Sequence, residues 1–180
     1  IVDEVQTGIG RTGAMFGYQH YGVTPDIITL AKGLGGGVPI GAIHAKSFLT
    51  DFLPGGAHGS TFGGNHLACA AAAAVLKQVR GKKFLENVNE VSRYFFDALN
   101  ALAGKVDLIR EVRGMGLHIG IELTRPGADL VPRALENGLV INCTAEKVIR
   151  IMPPLTISMK TAREGMKIFE RLLMQEGGKQ

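Results

Sequence analysis

Cysteine is scarce in this chain of 180 residues, which contains only Cys69 and Cys143. Two thiols cannot build a disulfide-rich scaffold, so a reducing, cytoplasmic setting is expected. No apolar run reaches the roughly 18 to 20 residues that would cross a bilayer, and no membrane partner is expected. Basic residues are not gathered into a stripe either. Lys and Arg number 20 against 16 Asp and Glu, a formal charge of +4. That charge lacks the clustering that phosphate-backbone binding uses, which sets nucleic acid aside. Charged residues make up 20% and hydrophobic residues 46%, globular proportions that exclude a disordered, collagen-like or coiled-coil chain. An initial methionine is also lacking, and Ile1-Val2-Asp3 already reads like the far end of a β-strand. The expectation is a chain whose N-terminal part is missing.

Glycine is abundant and unevenly spread. Fifteen of the 25 fall in residues 1–64, against an average usage of about 7%. Between these turns lie two short apolar strands, ending at Val2 and near Ala31, of the kind found in a sheet buried on both faces. Residues 65–79 contain six alanines and neither Gly nor Pro, which predicts a helix able to pack closely. A second helix is predicted from about Lys83 to Leu102, where Leu85, Val88, Val91, Phe95, Ala98, Leu99 and Leu102 recur at three and four. Beyond Gly104 the texture changes. Residues 108–112, 117–123, 139–142 and 148–152 are strand-like, and residues 129–137 read as a helix stopped by Gly138. The last helix opens with a Thr161–Glu164 capping box and lines up Ala162, Met166, Phe169 and Leu173. The reading is α/β: part of a large domain over 1–82 with a mainly parallel sheet, then a smaller α+β domain over 83–180.

Gly8-Ile9-Gly10-Arg11-Thr12-Gly13 matches a dinucleotide fingerprint and follows a strand. That fingerprint needs a helix opening at the glycines and an acidic residue after the next strand. Here Gly17, Gly22 and Pro25 interrupt the stretch, and Asp26 precedes the next strand. A tight loop is the better reading, with a nicotinamide-dependent oxidoreductase as the rival. The run Gly33-Leu34-Gly35-Gly36-Gly37 lacks the ending of a P-loop.

Ligands of α/β sheets lie at the carboxyl ends of strands. The first strand delivers Asp3, with Glu4 and Gln6 behind it, and the second delivers Lys32. Lys32 could simply reach water. An apolar strand could equally hold its amine partly desolvated, lower its pKa and make it a nucleophile. Asp3 could be a turn residue, or it could keep a pyridine ring nitrogen protonated. Ser60 and Thr61, ahead of the alanine helix, suit either a phosphate group or a helix cap. Arg150, inside the strand Val148–Met152, could be an edge residue with its head in water or a two-pronged carboxylate ligand. His58, His66 and Cys69 fit no closed zinc spacing, and no metal is expected.

Taken together, residues 3–13 (DEVQTGIGRTG), 25–37 (PDIITLAKGLGGG) and 59–65 (GSTFGGN) closely resemble the class III aminotransferases, pyridoxal-phosphate enzymes of fold type I. The match continues through residues 113–117 and 150–155, and so covers nearly the whole chain. Within the class the motifs are most similar to members that act on N-acetylornithine in arginine biosynthesis. The resemblance implies a homodimer that moves a terminal amino group from N-acetylornithine to 2-oxoglutarate. Ornithine, succinylornithine and 4-aminobutyrate enzymes share the motifs. It implies that Lys32 binds the cofactor aldehyde and then shuttles a proton, and that Asp3 pairs with the pyridinium nitrogen. Glu4 and Val5 fall in the implied cofactor-binding set, and Gln6 approaches the ring oxygen. Thr61 donates to the cofactor phosphate of the neighbouring subunit, Ser60 lies near substrate, and Arg150 holds a substrate carboxylate. His66 stands where the class usually has proline. The upstream half, with its own phosphate loop, is expected to be absent, so the 180-residue chain alone should bind cofactor weakly and not turn over.

Overall fold

A computed structural model describes residues 1–177. The chain divides into two compact units, the first ending at Leu85 and the second starting at Glu86. No helix among the described residues is long and apolar enough to cross a membrane.

In the first unit, strands β1 (Val2–Asp3), β2 (Ile27–Leu30) and β3 (Ala42–Ala45) form one sheet in that order. β1 and β2 are parallel, with Val2 opposite Ile28 and Asp3 opposite Thr29. β3 returns antiparallel on the far side of β2. Burial on both faces, expected from the apolar composition, is not what the structure has: Ile28 is buried, but β3 is exposed along its length. The cover is one-sided. Leu30 packs with helix α1 (His66–Val79) against a cluster of Ile9, Leu34, Ala72 and Val79. Alternation along β2 then turns Thr29 to the other face, beside Asp3. A 3₁₀ turn over Lys32–Gly35 follows β2 and abuts α1. Gly36 ends this turn at φ +60, and a Cβ there would lie 2.9 Å from Val75 Cγ2. Only glycine allows both the left-handed backbone and the approach of α1.

Helix α2 (Lys82–Ala103) gives Phe84 and Leu85 to the first unit's cluster. In the second unit, β4 (Ile109–Met115), β5 (His118–Leu123), β6 (Asn142–Thr144) and β7 (Val148–Ile151) form an antiparallel sheet of order β4-β5-β7-β6. Helices α3 (Leu130–Glu136) and α4 (Met159–Gly177) complete it. Buried residues come from α2 (Val88, Val91, Phe95, Leu99), the sheet (Ile119, Ile121, Ile149) and α4 (Ala162, Met166, Phe169, Leu173). Several boundaries differ from expectation, β4 running on to Met115 among them, and two have a visible cause. β6 begins at Asn142 and not at Leu139, because the Leu139 N–H donates to the Ala134 carbonyl at 2.8 Å and closes α3. α4 begins ahead of Thr161, because Ser158 Oγ accepts the Thr161 N–H at 3.1 Å and serves as the cap in place of Thr161.

Candidate active site

Asp3 and Lys32 stand at the carboxyl ends of the two parallel strands, β1 and β2, where α/β sheets place ligands. Asp3 Oδ1 accepts the Val5 N–H and the Thr29 hydroxyl, each at 2.9 Å. These two donors, Val5 first and then Thr29, together with the Lys32 charge, hold the Asp3 carboxyl below its ordinary range. Asp3 Oδ2 accepts no hydrogen bond among the described residues. Lys32 has a left-handed backbone at φ +45, a conformation costing a non-glycine residue about 1–2 kcal/mol. Outliers of this kind cluster at functional sites. Of the two readings open for Lys32, reaching water or partial desolvation, the structure has the first: the residue is exposed. The physical reason is the one-sided cover of β2, from whose end the lysine emerges on an open turn.

Glu4 is only 1% exposed. Its carboxylate accepts the Thr7 hydroxyl at 2.5 Å, the Gly17 N–H at 3.0 Å and the Tyr18 N–H at 2.8 Å. Glu4, placed in the cofactor-binding set by resemblance, turns its carboxylate inward and ties the chain around Gly17 beneath the end of β1. A Cβ at Gly17 would sit 3.3 and 3.4 Å from the two carboxylate oxygens and 3.1 Å from Thr7 Cβ, so glycine lets this carboxylate reach the backbone. Val5 is half-buried and takes part through its N–H, and Gln6 is exposed.

No helix opens at Gly8–Gly13. Gly10 and Gly13, both at φ +86, form closed turns, with Gly10 N–H donating to Met15 O and Gly13 N–H to Gly10 O. The first helical turn is the 3₁₀ segment Gly17–Tyr21. The dinucleotide reading therefore lacks its structural context.

Ser60 and Thr61 lie exposed in the loop before α1. Neither caps the helix. Asn65 does, accepting the Ala68 N–H at 2.9 Å while its amide donates to Phe62 O. Ser60 lines a hollow of about 320 Å³ with Ile40, Gly64 and Asn65. Arg150 belongs to the second unit. β7 lies between β5 and β6, so Arg150 is on an interior strand and the edge reading fails. Its Cα pairs with Gly120 and Asn142, and Nε donates to Asn142 Oδ1 at 3.2 Å.

Thr29, Thr7, Gly17 and Tyr18 were not singled out by sequence. Glu4 is 13 and 14 residues from Gly17 and Tyr18, a separation without periodicity to reveal it. Thr29 leaves a fainter trace, as the one hydroxyl in the apolar run from Ile27 to Leu30, and it becomes visible once Asp3 is set opposite it.

The fold and these strand ends mark a mixed α/β enzyme chain of fold type I, in part. The aminotransferase class-III family matches residues 1–173, and the chain belongs to that family. It is 51% identical over 176 residues to the acetylornithine aminotransferase of Caldanaerobacter subterraneus subsp. tengcongensis, covering 97% of this chain and 44% of that protein. Among solved structures, the ornithine aminotransferase of Toxoplasma gondii superposes with a TM-score of 0.91 at 37% identity, covering 97% of this chain and 42% of the other. The acetylornithine aminotransferase of Elizabethkingia anophelis gives 0.89 at 39% identity, covering 96% and 44%. The chain thus spans about 44% of the length of the first curated relative.

Proposed function

We propose that this chain serves a pyridoxal-phosphate-dependent transaminase that moves the terminal amino group of N-acetylornithine to 2-oxoglutarate, in the cytoplasm and as a homodimer. The observation that carries the reading is the pairing of Asp3 and Lys32 at the ends of neighbouring parallel strands, with Asp3 held ionised. The half-identical relative that bears the acetylornithine aminotransferase name supports the donor. The residues present suit the cofactor. Asp3 keeps one oxygen for a pyridinium N–H, Lys32 offers an accessible amine, and the hydroxyls of Ser60 and Thr61 are not spent on capping α1.

When bound, pyridoxal phosphate supplies an electron sink for the carbon that carries the amine. Asp3 holds a proton on the ring nitrogen. Lys32 Nζ would hold the cofactor through its aldehyde and would serve as the base that carries a proton at the substrate carbon. Gln6 orients the ring oxygen, Thr61 binds the phosphate of the neighbouring subunit, and Ser60 lies beside the substrate. Arg150, on a rigid interior strand, receives a substrate carboxylate by two parallel hydrogen bonds.

The test is borohydride reduction of the intact protein incubated with pyridoxal phosphate, followed by peptide mass analysis. Label on Lys32 is expected, together with turnover of N-acetylornithine and 2-oxoglutarate. Label elsewhere, or none, overturns the reading. Turnover of ornithine or 4-aminobutyrate in preference to N-acetylornithine would revise the substrate alone.

A further inference from the structure

Asp3 Oδ1 is held by two donors of different kinds. The Val5 N–H closes a local turn and is available to any aspartate at that place. The Thr29 hydroxyl comes from the neighbouring strand, 26 residues away, and its presence depends on one side chain. Thr29 is well fixed. Its Cα pairs with Asp3, its carbonyl accepts the Glu4 N–H at 3.0 Å, and its branched Cβ restricts χ1. Its neighbours Ile28 and Leu30 face the covered side of the sheet, so Thr29 has its own side chain free to serve Asp3.

We infer that Thr29 is a positioning residue for the Asp3 carboxylate, fixing its rotamer so that Oδ2 is presented where the cofactor ring nitrogen binds. The inference rests on the proposed pairing of Asp3 with that nitrogen. Without the hydroxyl the carboxylate keeps only the Val5 donor. It can then turn about its side-chain bonds, and its charged form is less favoured.

The experiment compares Thr29→Val with Thr29→Ser in the intact protein, alone and combined with Asp3→Asn. Valine keeps the shape and strand preference of threonine but has no hydroxyl; serine restores the hydroxyl. Spectroscopic titration with pyridoxal phosphate is expected to show about tenfold weaker binding in Thr29→Val, the loss of one hydrogen bond to a charged group, with Thr29→Ser close to wild type. In the Asp3→Asn background the valine change is expected to add little, since the two residues act through one contact. An NMR titration of the Asp3 carboxyl without cofactor is expected to move upward in Thr29→Val and to return in Thr29→Ser. Unchanged cofactor affinity in Thr29→Val overturns the inference, and so does an unmoved Asp3 titration. If the wild-type protein takes up no pyridoxal phosphate, the proposed function falls, and the titration alone then decides whether Thr29 controls Asp3.

Discussion

The amine of Lys32 has no substitute in the proposed chemistry, since Asp3, Gln6 and Thr61 offer no nucleophilic nitrogen that can form and break a bond with an aldehyde. Lys32→Ala is expected to reduce transamination to background in the intact protein and to eliminate borohydride labelling. Activity near wild type in that variant would show that this site is idle. Glu4 makes a different kind of contribution. It touches Thr7, Gly17 and Tyr18 and is buried. Glu4→Ala leaves two backbone N–H groups without their partner, a cost of about 1–3 kcal/mol for each unsatisfied group. Denaturant unfolding of the variant should show that loss, and an unchanged midpoint would contradict the tie. Asp3 and Lys32 are legible in the sequence because each ends an apolar strand. The inward turn of Glu4 is not legible, because its partners are brought near only when the chain folds back at Gly17.

At the scale of elements, the two glycine runs solve different problems. Gly8–Gly13 closes turns, and Gly36 lets the 3₁₀ turn after β2 meet α1. Gly36→Ala must put a side chain both in a left-handed conformation and 2.9 Å from Val75 Cγ2. The combined cost is expected to be about 2–4 kcal/mol, visible as a lower thermal midpoint. The β4–β5 hairpin carries a charge network on one face, where Glu122 pairs with Arg113 and Arg110 and Arg113 also reaches Glu111. The hydrogen bond from Arg113 holds the Glu122 carboxyl below its ordinary range. For a depressed carboxyl, the stabilisation is present above the unfolded-state value and is lost as pH falls through the folded-state value. Glu122→Gln should therefore lower the thermal midpoint at neutral pH and low salt. It should have little effect in acid below both values, or in concentrated salt. An equal deficit in acid would show that the pair is not its cause. The hairpin and helices α2 and α4 are readable from periodicity, since each buries one face. The antiparallel β3 is not, because Ala42-Ile43-His44-Ala45 is exposed throughout and no pattern of burial marks it.

The whole molecule presents large apolar side chains to water. Ile43, Phe48, Phe52 and Leu53 lie within one stretch, followed by Phe62 and Leu67, with Phe62 80% exposed. All six belong to the first unit, and Phe62 lies in the loop that carries Ser60 and Thr61. Single exposed hydrophobic residues are ordinary, whereas several on one unit favour association in water. The sequence cannot display this, since exposure is a property of the fold. Lys32 belongs to the same picture, because it too is exposed in the first unit. The 180-residue polypeptide prepared alone is therefore expected to bind pyridoxal phosphate weakly, to associate through its apolar residues, and not to turn over N-acetylornithine with 2-oxoglutarate. Absorbance titration, sedimentation and a coupled glutamate assay check the three parts. Robust transamination by this polypeptide would mean that the exposed residues need no cover and that Lys32 is reactive in open water.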